Sequence, residues 1–177
     1  MPMPKSAAML LSVLANETDS EVRFQLLHCA ISECHIADNT AAALKLAHAL
    51  HQEFSDDTSL IVLSNALTWN HEPEAGLLRA KEALELAIQI QEGVNDAAGN
   101  LVRLSVKTGS VEKVNEAMEA LVDSTDVPRT ADCVLDTDWC DDAEALGADM
   151  GLISSWIRMV AAEQLKRSES RRSLRRK

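Results

Sequence analysis

The chain contains no tyrosine and little else that is aromatic, two Phe and three Trp in 177 residues. Glycine and proline are also scarce, at six and four, and runs of β-branched residues are rare. What remains is rich in helix formers, so the expected fold class is all-α. No apolar run approaches the roughly 20 residues that cross a bilayer, and no membrane span is expected. A phosphate-cradling glycine loop is missing, and no nucleophile, base and orienting group stand together in the sequence. The chain therefore reads as no enzyme, with no catalytic residues, no cofactor and no metal.

Positive charge is lacking over most of the length. From Lys166 to Lys177 there are seven basic residues against Glu169 alone, a net of +6 in a chain whose total is −11, so everything before it carries −17. So acidic a body argues against a specific nucleic-acid partner. The basic tail, residues 166–177, has no apolar face and is expected to be disordered. Contact with anionic lipid, RNA or the acidic body is its sharper reading, and Arg171-Arg172-Ser173-Leu174 resembles a basophilic kinase site.

A chain of this length makes about one domain and buries roughly 70% of its unfolded surface. The opening, MPMPKSAAMLLSVLANE, imitates a minimal signal peptide. Its apolar run is at the short limit and only Lys5 precedes it, so export is not expected. Four cysteines then suggest reduced thiols in the cytoplasm.

Apolar spacing places the helices. The first covers Lys5 to Ala15, and Asp19 or Ser20 caps a second, from Glu21 to His35, with Val22, Leu26, Leu27, Ala30 and Ile31 facing inward. The third is TAAALKLAHALHQEF, with Ala42, Leu46, Ala49 and Leu50 as its stripe. A fourth runs from Asp57 to Asn70 with Leu60, Leu63 and Leu67, and a fifth from Glu72 to Glu92, where Gly93 stops it. In the fifth, Gly76, Ala80, Ala83 and Ala87 lie on one face with Leu77 and Leu84 beside them, a smooth stripe that lets a neighbouring helix come close. Pro73 suits its first turn. A sixth helix, Asn95 to Lys107, turns at Thr108-Gly109-Ser110 into a seventh carrying Val111, Val114, Met118 and Leu121.

The turns repeat: Ala37 to His71 is 34 residues, and His71 to Gly109 is 38. Two helices per 34 residues is the tetratricopeptide period. Over Glu21 to Ser124 the chain resembles the tetratricopeptide repeat family, with small residues at Ala30, Ala42 and Ala49, then Gly76 and Ala83, and a turn glycine at Gly109. Glu33, Leu67 and Ser105 stand where the family usually has an aromatic residue, and Val114 is larger than its pattern likes, so the resemblance is to a divergent array. It implies a short right-handed solenoid of three repeats, at 21–55, 57–92 and 95–124, in a single domain over 1–165 that opens with an N-terminal helix in 1–20. An acidic loop at 125–141 would lead to a capping helix at 142–165, begun by Asp141 or Asp142 and carrying Leu152, Ile153, Trp156, Met159 and Val160.

The resemblance also implies a peptide-binding groove, lined by the first helix of each repeat and hence by Phe24, Leu27, Ile31, Ile61, Asn65, Asp96 and Arg103. The clamp by which some members grip acidic C-termini needs Lys, Asn and Arg, whereas Leu27, Ile31, Val62, Asp96 and Asn100 stand here. An apolar or amphipathic segment fits better. The function expected is that of an interaction scaffold or adaptor for another protein or peptide, with a homodimer as a further form. An alternative is a chaperone of type III secretion translocators, which are small, acidic and built of three such repeats.

Two clusters imitate chemistry. His28, Cys29, Cys34 and His35 suggest a metal site, but Cys29 and Cys34 are five apart, about 140° around a helix. Val134-Leu135-Asp136-Thr137-Asp138 imitates the aspartate motif of haloacid-dehalogenase-like phosphatases, so a metal-dependent phosphatase using Asp136 and Asp138 is a third reading. That motif needs a parallel sheet, and none is expected. Cys133 and Cys140 could pair on oxidation.

Overall fold

The computed structural model describes residues 2–124 and 138–174. Among them are nine helices and no strand, in order α1 (Lys5–Leu14), α2 (Ser20–Ile36), α3 (Thr40–Phe54), α4 (Asp57–Trp69), α5 (Pro73–Ile90), α6 (Val94–Lys107), α7 (Val111–Ser124), α8 (Cys140–Leu146) and α9 (Met150–Leu174). The all-α expectation holds, and the first seven helices stand within two residues of their expected bounds.

Local chemistry sets those bounds. Asp19 Oδ1 accepts the N–H groups of Glu21 and Val22 at 3.0 and 3.1 Å, and Asn39 accepts from Ala42. Asp56 and Ser59 form a reciprocal capping box at the start of α4, and Pro73 occupies the first turn of α5. The far ends of α2 to α5 are closed by residues in the left-handed conformation, none of them glycine: Asp38, Ser55, His71 and Gln91. Three of these closures return an N–H to the carbonyl five positions back, Asn39 to Cys34, Glu72 to Leu67 and Glu92 to Ala87. The end of α5 is therefore made by Gln91 (φ 58°), not by Gly93. A left-handed non-glycine costs about 1–2 kcal/mol. Gln91→Gly should accordingly raise stability by about 1 kcal/mol, read as a higher denaturant midpoint at unchanged slope. A lower midpoint would mean that the Gln91 side chain itself holds the turn.

The chain divides into two compact units, Met1–Gly93 and Val94–Lys177. The division falls at a three-residue connection, Gln91 to Gly93, in which both outer residues have positive φ. In the first unit each helix packs chiefly on its neighbours in sequence, α1 on α2, α2 on α3, α3 on α4 and α4 on α5. Leu27, Ala30, Ile31 and Cys34 of α2, Ala43, Leu46, Ala47 and Leu50 of α3, and Val62, Leu63, Ala66 and Leu67 of α4 form one core. Arg23 ties the edge of this unit together. Its guanidinium donates to the Leu14 and Glu17 carbonyls and pairs with Glu53 on α3 at 2.5 Å.

The small-residue stripe of α5 is buried, with Gly76, Leu77, Ala80, Ala83, Leu84 and Ala87 all inward. At Gly76 a Cβ would stand 2.6 Å from the Ser64 carbonyl of α4 and against the Thr68 hydroxyl. Ser64 and Thr68 turn their hydroxyls back onto their own helix, onto the Ile61 and Ser64 carbonyls, so that at this crossing α5 meets the α4 backbone and the Thr68 hydroxyl.

In the second unit α6 packs on α7, α8 touches both, and α9 packs on α7. Val114, Ala117, Met118 and Leu121 of α7, Trp139 and Ala143 at α8, and Ile153, Trp156 and Val160 of α9 are buried. The single C-terminal helix expected over 142–165 is two helices, because Gly147 (φ 85°) ends α8. Asp149 then caps α9 in place of Asp141 or Asp142, accepting the Gly151 N–H at 2.9 Å. A further correction concerns the tail, since Lys166 to Leu174 continue α9 instead of forming a disordered segment. Glu163 pairs with Lys166 and Arg167 one turn on, and arginines in the last turn suit the negative end of the helix dipole. Cys133 and residues Val134 to Thr137 of the aspartate motif lie outside the described residues.

Candidate functional site

The seven expected groove residues do not share one environment. Leu27 is 4% exposed and Ile31 1%, and both belong to the core of the first unit. A helix with neighbours on either side turns its largest apolar residues inward, and these two expected groove residues lie on that buried arc. Phe24 is half-buried and set edge-on against Phe54 of α3, with ring centroids 5.1 Å apart. Ile61 and Asn65 are half-buried on α4. Asp96, exposed, and Arg103, half-buried, lie in the second unit.

Around Ile61 and Asn65 the structure assembles a surface that includes two residues missing from the expected set. Trp69 follows Asn65 by four residues, as Asn65 follows Ile61, so the three share one side of α4. His35 at the end of α2 lies flat on Trp69, with ring centroids 3.8 Å apart and planes 9° from parallel. The stack joins the ends of two helices that are not consecutive in sequence. Thr40 beside them donates to Asn70 at 3.4 Å. The signal that could have found Trp69 is the four-residue spacing itself; nothing in the sequence pointed to its partner His35.

Arg103 lines a hollow of about 80 Å³ with Val106, Lys107, Asp138, Trp139 and Asp142. Its Nη2 donates to Asn100 Oδ1 at 2.8 Å, and Lys107 Nζ stands 3.7 Å from Asp142 Oδ2. Cations and carboxylates alternate there, so the hollow presents no single charge to a ligand.

The His-Cys cluster is dispersed by role. Cys34 is in the core, Cys29 is exposed, and His28 lies beside Phe24 at 6.2 Å. Burial pushes the Cys34 thiol up, with help from Glu33, and does the same to Cys140, reinforced by Asp141 and Asp138. Both are moved away from the thiolate that nucleophilic chemistry needs. His51 Nδ1 and Ser59 Oγ are 2.9 Å apart, a distance suited to a serine–histidine pair. Ser59 is fully buried and its hydroxyl serves the capping box of α4, donating to the Asp56 carbonyl and accepting the Asp56 N–H. Among the described residues no group of three or more His, Cys, Asp or Glu could hold a metal ion, and no helix is long and apolar enough to cross a membrane. Compared with models of protein families, with curated proteins and with solved structures, the chain finds no significant match, so its own geometry carries the functional reading.

Proposed function

We propose that this protein is a non-enzymatic interaction scaffold, of the helical-hairpin kind that tetratricopeptide repeats represent, and that it holds an apolar or amphipathic segment of another protein. The observation that carries this reading is the half-open surface of Ile61, Asn65 and Trp69 on α4, extended by His35 of α2 through the ring stack. Aromatic and branched side chains that are partly exposed, held in place by a stack and by series-packed helices, provide anchor sites of the sort that peptide segments use. The order of packing in the first unit, each helix on its sequence neighbours, also favours an array that presents one helix surface after another.

Panning the full-length protein against a displayed library of random peptides tests this directly. Amphipathic sequences with apolar residues three and four apart should be enriched. Ile61→Asp should then weaken the selected peptides about tenfold or more while the helical circular dichroism signal stays unchanged. Selection of peptides defined by an acidic C-terminus, or tight binding that survives Ile61→Asp, would sink this reading.

A further inference from the structure

The second unit contains a helix that is gripped over only part of its length. In α9 the buried residues are Ile153, Trp156 and Val160, at spacings of three and four, the pattern by which an amphipathic helix lies in a groove. From Ala161 to Arg172 every residue is half-buried or exposed, including Leu165 at 60%. Contact is made with α7, and the helix begins just after the left-handed Gly147. Two more observations point the same way. Trp156 is only 5% exposed, yet its indole N–H finds no hydrogen-bond acceptor among the described residues, so docking forfeits a bond that water would restore on release. The charges are also complementary: α7 carries Glu112, Glu116, Glu119 and Asp123 against Lys113, while α9 carries Arg158, Lys166, Arg167, Arg171 and Arg172 against Glu163 and Glu169.

We infer that α9 is a releasable occupant of a docking face on α7, and that a basic amphipathic helix of a partner protein displaces it. The inference rests on the scaffold reading and adds a second docking face to it, specific for a helix with apolar residues at i, i+3 and i+7 and with arginine or lysine beside them. α9 itself, as the resident occupant, defines that pattern.

Amide hydrogen exchange of the full chain, followed by mass spectrometry, tests the release. The amides of residues 152–160 should exchange through an opening that leaves α6 and α7 protected. Replacing Trp156 by 3-benzothienylalanine, in which sulfur takes the place of the indole N–H at nearly the same shape, should slow that exchange about tenfold, because the docked state no longer holds an unpaired donor. Adding excess synthetic peptide of residues 150–172, which carries Arg158, Lys166, Arg167, Arg171 and Arg172 against Glu163 and Glu169, should in turn speed exchange in α9 while α7 stays protected. Exchange of α9 only upon global unfolding, or an isostere that exchanges as fast as tryptophan, would overturn the release. A peptide without effect would overturn the docking face. None of these outcomes touches the Ile61 surface, so this inference can fail while the scaffold reading stands.

Discussion

Gly76→Ala should lower the stability of the first unit by roughly 1–3 kcal/mol, although alanine is the better helix former by about 1 kcal/mol. The new methyl would meet the Ser64 carbonyl at 2.6 Å and the Thr68 hydroxyl. The hydroxyl can swing away, but the carbonyl is helix backbone and can yield only if α4 and α5 separate. Separation would loosen the contacts of Ala80, Ala83 and Ala87, each of which is fully buried. Gly99 in α6 is the internal control, because a Cβ there meets nothing within 4 Å. Gly99→Ala should raise stability by about 0.5–1 kcal/mol. Denaturant midpoints of the two variants, compared at equal slope, check both signs at once. A Gly76→Ala protein as stable as the parent would mean that α4 and α5 do not cross closely at this residue.

The second large effect is expected at Ile31, where two assignments of one residue compete. As a groove residue it would be dispensable for folding and needed for binding. At 1% exposure, among Leu27, Cys34, Ala47 and Leu50 of the same core, it is a packing residue, and Ile31→Ala should cost roughly 2–5 kcal/mol through lost burial and the cavity left behind. Thermal unfolding followed by circular dichroism gives the answer. Ile61→Asp provides the contrast, since a half-buried residue on an open surface should change binding while leaving the fold in place. If Ile31→Ala unfolded at the parental temperature and lost the selected peptides, the groove assignment would be right and the core assignment wrong.

The positions of the first seven helices were legible in the sequence because helix formation is written locally. Caps such as Asp19 and Asp56, the proline at residue 73 and the three-and-four spacing of Leu60, Leu63 and Leu67 each act within a few residues, as do the small residues at 76, 80, 83 and 87. The errors arose where several local signals gave conflicting answers. Gly93 looked like the terminator of α5, but Gln91 takes the left-handed turn first. Charge density suggested disorder after Leu165, yet residues 166–174 combine good helix formers with ion pairs one turn apart and contain neither proline nor glycine.

Which arc of a helix meets a neighbour is a different kind of fact. The sequence by itself determined that the chain is helical, roughly where its helices begin and end, and that small residues mark one close crossing. Only tertiary structure decided that Leu27 and Ile31 face the core, that His35 reaches Trp69, that Arg103 borders a hollow of paired charges, and that the chain closes into two units. The reason is geometric: a helix rich in leucine and alanine offers more than one apolar arc, and burial selects among them only after the neighbouring helices have taken their places.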